Sequence, residues 1–209
     1  MKTIIITGTP CTGKTTLAIK LSKKLNLYYM DVNAVIKKYG ISEGYDKKRK
    51  SKIIDTKKLN KALIKEIKNY KKTMRAIKKN SIKISNKLNT KKNNDKKIKI
   101  GVIVDSHLSH YLPKKYVDLC IVTKCNLKTL KKRLEKKGYP SNKVRENLDA
   151  EIFDVCLNEA KENKHKLFVV NTTKNIDTKN LVRKFFAEGI KLLLLTIGMK
   201  GLGCLGYYL

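Results

Sequence analysis

Four short apolar runs punctuate the chain, at Thr3 to Thr7, Ile100 to Val104, Leu119 to Val122 and Leu167 to Val170. Each is rich in β-branched or large aliphatic residues and none alternates with polar ones, which is the pattern of a strand buried on both faces. Between them, apolar residues return at helical spacing: Leu17, Leu21 and Leu25; Leu59, Leu63 and Ile67; Leu127, Leu130 and Leu134; Ile152, Val155, Cys156 and Leu157. A weaker strand is expected at Leu27 to Tyr29. Strands that alternate with helices predict a five-stranded parallel sheet covered on both sides, a three-layer α/β/α architecture. Helix starts are expected at Asp31, Asn126 and Ser141, and Gly138 is a natural stop.

Two stretches break this rhythm. Asn69 to Lys99 carries twelve basic residues and one acidic, Asp95, with Asn and Ser frequent in its second half, and reads as a helix end followed by a flexible basic insertion over 70–99. Ile190 to Leu209 is apolar apart from Lys191 and Lys200. Its lysine near the middle and its four glycines, Gly198, Gly201, Gly203 and Gly206, argue against a membrane span. The expectation is one domain over 1–189 followed by an apolar tail, which the 209-residue length allows.

Composition adds a second theme. The chain holds 49 basic and 17 acidic residues, a formal net charge of +32, while 41% of its residues are hydrophobic, which excludes wholesale disorder. Such a surface attracts nucleic acid at low salt. The 44 lysines lie among many Asn and Ile, so the same charge also fits the codon bias of an AT-rich genome. Five cysteines, Cys11, Cys120, Cys125, Cys156 and Cys204, show no paired spacing and indicate neither a disulfide framework nor a zinc cluster. A reducing cytoplasm fits them, and the N-terminus opens on a strand with no sign of a secretory leader.

The chemistry is concentrated in Gly8-Thr-Pro-Cys-Thr-Gly13-Lys14-Thr15, which fits G-x4-G-K-[ST] and falls between a predicted strand and a predicted helix. In such a loop the backbone N–H groups cradle phosphate oxygens, Lys14 reaches the β and γ phosphates and the Thr15 hydroxyl ligates Mg²⁺. A second metal-side acid is expected at Asp105, because the C-terminal ends of parallel strands share one edge with the loop. His107, two residues on, is placed to orient a water or a substrate oxygen near the transferred phosphoryl group. Where lysine is chosen so often, Arg133 and Arg145 suggest that planar, bidentate geometry was wanted; they flank the Lys136-Lys-Gly-Tyr-Pro140 turn. No N-K-x-D guanine motif is present, Thr123-Lys-Cys-Asn126 being only an echo, which disfavours a small GTPase.

Taken with Gly44-Tyr-Asp46, Ile54-Asp-Thr-Lys-Lys-Leu59, Val102-Ile-Val-Asp-Ser-His107, Arg133-Leu-Glu-Lys-Lys-Gly-Tyr139 and Glu146-Asn-Leu-Asp-Ala-Glu-Ile152, this chain resembles the adenylate kinase 6 group, also called Fap7 or CINAP, over Met1 to about Glu188. The resemblance implies a P-loop NTPase fold in which 31–54 is the monophosphate-binding segment and 136–146 the LID. It implies that Cys11, Gly13, Lys14, Thr15, Thr16 and Lys137 contact ATP, that Asp105 and His107 form the combined Walker B and catalytic pair, and that Asp31, Tyr45, Asp46 and Arg145 face the monophosphate. The implied activity is ATP plus AMP giving two ADP, with Mg²⁺ and with side ATPase activity. The implied partners are ribosomal protein uS11 and the small-subunit precursor, with rRNA contact through the basic insertion; the alternative is an assembly ATPase whose kinase activity is incidental. Two departures stand out: Cys11 where the family commonly has Gly, and Lys137 where it usually has Arg.

Overall fold

The structure, a computed structural model, describes residues 1–47, 51–88 and 99–187. The apolar tail expected at 190–209 and the later part of the basic stretch lie outside these residues. Five strands form one parallel sheet: β1 (Lys2–Thr7), β2 (Tyr28–Asp31), β5 (Gly101–Asp105), β6 (Leu119–Lys124) and β7 (Leu167–Asn171). Their spatial order is β2-β5-β1-β6-β7. This is the three-layer P-loop NTPase arrangement, with β1 in the centre of the sheet.

The alternation of side chains along β1 explains the layers. Ile4 and Ile6 point to one face, where α1 (Lys14–Lys24) and α7 (Thr178–Ala187) bury Leu17, Leu21, Leu181 and Phe185 against them. Ile5 points to the other face and meets Val35 of α2 (Val32–Tyr39) and Leu59, Leu63 and Ile67 of α3 (Thr56–Leu88). With both faces covered, no position in β1 from Thr3 to Thr7 can be polar and exposed, which is why the run is flat rather than alternating. Helix starts follow the expected residues. Asp31 accepts from the Asn33 N–H at 2.9 Å and Asn126 from the Lys128 N–H at 2.9 Å. Gly138, at φ +74°, stops α4 (Leu127–Lys136), and α5 (Ser141–Ile152) follows directly.

Three features differ from the sequence reading. The stretch after Asn69 does not end a helix there: α3 continues to Leu88, and Tyr70 stacks on Tyr28 with ring centroids 4.5 Å apart. The apolar set Ile152, Val155, Cys156 and Leu157 is not one helix face, because Asp154 adopts φ +54° and separates α5 from α6 (Val155–Glu162); Ile152 and Phe153 at the break are exposed. The segment between α2 and α3 holds an antiparallel hairpin, β3 (Ser42–Asp46) with β4 (Ser51–Ile54), which no apolar run announced because most of its side chains are in water. No helix among the described residues is long and apolar enough to cross a membrane.

Candidate active site

The loop from Gly8 to Gly13 turns back over the end of β1, and two glycines make that turn possible. Gly8 sits at φ +137°, and a Cβ there would stand 2.4 Å from the carbonyl oxygen of Thr123. Gly13, at φ +89°, is the residue that opens α1. Cys11 also has a positive φ, +66°. Behind the loop, Thr12 Oγ1 lies 2.7 Å from both the Thr9 carbonyl oxygen and Thr123 Oγ1. Thr172 donates to the Thr12 carbonyl. The Thr9 hydroxyl donates to buried Glu151 at 2.6 Å, and the other oxygen of that carboxylate accepts from the Cys125 N–H at 2.8 Å. The backbone is thus bolted from behind, leaving its inner face free for a ligand.

Lys14 is buried beneath the loop, with Nζ donating to the carbonyl oxygens of Gly8 and Thr9 at 2.9 and 2.8 Å. Loss of water around the ammonium lowers its pKa to about 8, a drop that the Asp105 carboxylate only partly opposes. Thr15 donates to Asp105 Oδ2 at 2.6 Å, and Tyr29 donates to the same oxygen at 3.2 Å; burial and this carboxylate raise the phenol's pKa. Thr15 Oγ1 and Asp105 Oδ2 are hard oxygen donors placed side by side on the floor of the site, a set that suits a hydrated divalent cation. His107 is exposed along the cavity, and partial desolvation there, reinforced by the positive charges of Lys14, Lys143 and Lys137, lowers its pKa to about 4, so the ring is neutral at ordinary pH.

These groups open into one cavity of about 1130 Å³. The P-loop floor contributes Cys11, Gly13, Lys14, Thr15 and Thr16, with Asp105 and His107 beside them. Arg133, Lys137, Tyr139 and Lys143 overhang it. Arg133 is anchored, Nη2 donating to the Thr172 carbonyl at 2.9 Å and Nη1 to Cys125 Sγ at 3.4 Å. Lys137 and Lys143 lie 5.4 and 4.3 Å from the centroid of the Tyr139 ring, so the three side chains form one cationic flap.

Four residues expected at the site stand outside the cavity lining. Asp31 is spent capping α2, although its Cα pairs in register with Asp105. Tyr45 and Asp46 lie on the exposed β3 hairpin, and Arg145 is on the outer side of α5. In their place the far wall is built by Asn33 and Ile36 of α2 and by Ser51, Lys52 and Ile54 of β4. The segment from Thr172 to Ile176 after β7 closes the third side. The signal for that last segment was in the sequence: Asn171-Thr-Thr follows an apolar strand as Asp105-Ser-His does, and its strand ends on the same edge of the sheet.

Fold and site together define a P-loop NTPase-fold protein with a phosphate-binding floor and a large cationic cavity above it. The AAA domain family profile matches residues 4–154. A "Putative adenylate kinase" of Methanocaldococcus jannaschii is 37% identical over 188 residues, covering 90% of this chain and 85% of its own. An adenylate kinase isoenzyme 6 homolog of Dictyostelium discoideum is 29% identical over 189 residues, covering 90% and 91%. The chain belongs to the family these adenylate kinase relatives represent. Solved structures overlay more loosely: shikimate kinase of Aquifex aeolicus gives a TM-score of 0.44 at 16% identity, covering 91% of this chain and 98% of that one.

Proposed function

We propose that the protein is a nucleoside monophosphate kinase that transfers the γ-phosphoryl group of ATP to AMP. The observation that carries this reading is the extent of the cavity, which runs from the P-loop to α2 and β4 and, at about 1130 Å³, exceeds the ~300–1,000 Å³ of a typical single-ligand pocket. A nucleotide at the P-loop leaves room for a second one against Asn33, Ser51 and Lys52. In the reaction a monophosphate oxygen attacks the γ-phosphorus, a new P–O bond forms, and the bond to the β-phosphate oxygen breaks to leave ADP on both sides. Thr15, with Asp105 behind it, would hold a Mg²⁺ ion, which would supply neutralisation of phosphate charge. Lys14 exchanges its carbonyl partners for phosphate oxygens. Neutral His107 offers a hydrogen bond to a reacting oxygen without adding charge. Arg133, already oriented by Thr172, and the flap lysines offset the negative charge that builds up in transfer.

The test is ADP formation from ATP with and without AMP in magnesium buffer. Formation that requires AMP supports the reading; ATP loss indifferent to AMP overturns it. Lys14→Ala abolishes turnover if the floor described above is the site.

A second reading, an ATPase acting in late small-subunit maturation through uS11 in the cytoplasm, is favoured by α3. Beyond the packed part of that helix, Lys72, Arg75 and Lys79 are exposed on a rod that reaches Leu88, a shape and charge suited to rRNA. Its test is copurification with small-subunit precursors that is lost as salt is raised; no association at low salt overturns it.

A further inference from the structure

The cysteines show no zinc spacing in the sequence. The fold supplies what spacing concealed. His110 lies on a short 3₁₀ turn, Ser109–Tyr111, beneath the end of β1, and α6 passes beside it with Cys156 and Glu159 three residues apart on one face. His110 Nε2, Cys156 Sγ and a carboxylate oxygen of Glu159 all fall within 4.8 Å of one another.

The hydrogen bonds around these atoms are those of a ligand set. His110 is 1% exposed, and its Nδ1 lies 2.6 Å from Thr7 Oγ1, so one ring nitrogen is held from behind. The other, Nε2, makes no hydrogen bond. It lies 2.8 Å from Glu159 Oε2, which sets an imidazole nitrogen and a carboxylate oxygen side by side. Tyr111 occupies the second carboxylate oxygen, donating to Oε1 at 2.7 Å, and leaves Oε2 facing His110. A buried imidazole with one nitrogen anchored and the other unpartnered, beside a thiol and a free carboxylate oxygen, matches how proteins hold a metal-ligating histidine.

We propose that His110, Cys156 and Glu159 bind one zinc ion, with a water as fourth ligand. Nitrogen, sulfur and oxygen donors together suit a borderline-soft cation and not magnesium, so this centre is chemically separate from the Thr15 and Asp105 pair on the floor of the cavity. Its place gives it a structural task. Thr7, which orients His110, is the last residue of β1 before the P-loop, and Cys156 of α6 already meets the backbone of Gly8, the next residue. The ion ties α6 and the 3₁₀ turn to the base of the loop.

The experiment is titration of the metal-stripped full chain with Co²⁺, followed by Zn²⁺, in the absence of nucleotide. The expected result is saturation at one equivalent, with thiolate-to-cobalt charge-transfer absorption that Zn²⁺ bleaches. Cys156→Ser should abolish that absorption and weaken Zn²⁺ binding at least tenfold, and Glu159→Gln should weaken it as well, whereas Cys11→Ser should keep the absorption. No charge-transfer band in the wild type, or a band that survives Cys156→Ser, overturns the proposal. Should Cys156→Ser not fold, X-ray absorption of the zinc-loaded wild type decides: one sulfur with nitrogen and oxygen neighbours supports the site, and a shell without sulfur overturns it. Turnover enters none of these readings, so their failure leaves the kinase proposal where it stood.

Discussion

Replacing Lys14 by methionine separates what the site costs the fold from what it does for the reaction. Lys14 is 9% exposed and its pKa falls from 10.5 to about 8 on burial. At 1.36 kcal/mol per tenfold change, that drop means holding the charge in the folded chain costs roughly 3 kcal/mol at neutral pH. Methionine fills similar volume without charge, but it abandons the Gly8 and Thr9 carbonyls that Nζ now satisfies, a loss of about 1–2 kcal/mol. Lys14→Met should therefore stabilise the nucleotide-free protein by about 1–2 kcal/mol at pH 7 while eliminating ATP binding. The pH dependence carries the sign. Below pH 8 both folded and unfolded Lys14 are protonated and the penalty is complete. Between 8 and 10.5 the unfolded chain binds more protons, so wild-type stability rises relative to the variant and the gain closes. Urea denaturation of both proteins at pH 7 and pH 10 measures this. A variant less stable than wild type at pH 7, or a difference that does not change with pH, refutes the argument.

Phosphate binding should draw the Lys14 pKa back up, so nucleotide binding near pH 9 takes up protons, and affinity falls as pH rises above about 8; calorimetry in buffers of different ionisation enthalpy reads the uptake. Gly8→Ala puts a Cβ 2.4 Å from the Thr123 carbonyl and strains a φ of +137°, so we expect a loss of about 3 kcal/mol or more in thermal unfolding, with no measurable nucleotide binding. Glu151→Gln presents an amide where the Thr9 hydroxyl now donates, and should cost about 1–3 kcal/mol, seen as a lower urea midpoint. His107, depressed to about 4, should show no imidazole titration between pH 5.5 and 8 by proton NMR; a midpoint near 6.5 would contradict the influence assigned to the charges of Lys14, Lys143 and Lys137.

How much of this was legible depended on whether a residue's task was local. β1, β5 and β6 were readable because two-sided burial leaves a flat apolar run, β2 and the alternating β7 only through their apolar composition, and Asp31, Asn126 and Gly138 because capping uses neighbours a few residues away. The loop floor was readable for the same reason: Gly8, Gly13, Lys14 and Thr15 act within one turn. What escaped was set by approach in space. Arg133 gives no hint in sequence that it rests on the Thr172 carbonyl 39 residues downstream. Arg145, five residues past Pro140 on α5, is exposed and stands outside the cavity lining while Lys143 is part of it, a matter of helix phase that residue type alone does not reveal. The β3–β4 hairpin packs too little apolar surface to leave a period-2 trace, so the far wall of the cavity had no signature. The length of α3 was missed because its lysines were read as solvation alone, when Tyr70 holds the helix against Tyr28 and Lys-rich turns extend it at little cost.

Cys11 ties these threads together. A non-glycine residue at φ +66° carries a cost on the order of 1–2 kcal/mol, and the loop adopts that conformation all the same. It can do so because the residues on either side are fixed independently of it: Thr9 through Glu151 to β6, and Thr12 through Thr123 and Thr172 to β6 and the segment after β7. The loop's shape is imposed from the sheet edge outward, so the glycine that relatives of this resemblance commonly place here is a convenience and not a requirement. The position that admits no such substitution is Gly8, where the obstacle is the Thr123 backbone itself. Phosphate binding therefore rests on the fit between two strand ends, β1 and β6, and the loop sequence matters chiefly in so far as it lets them approach.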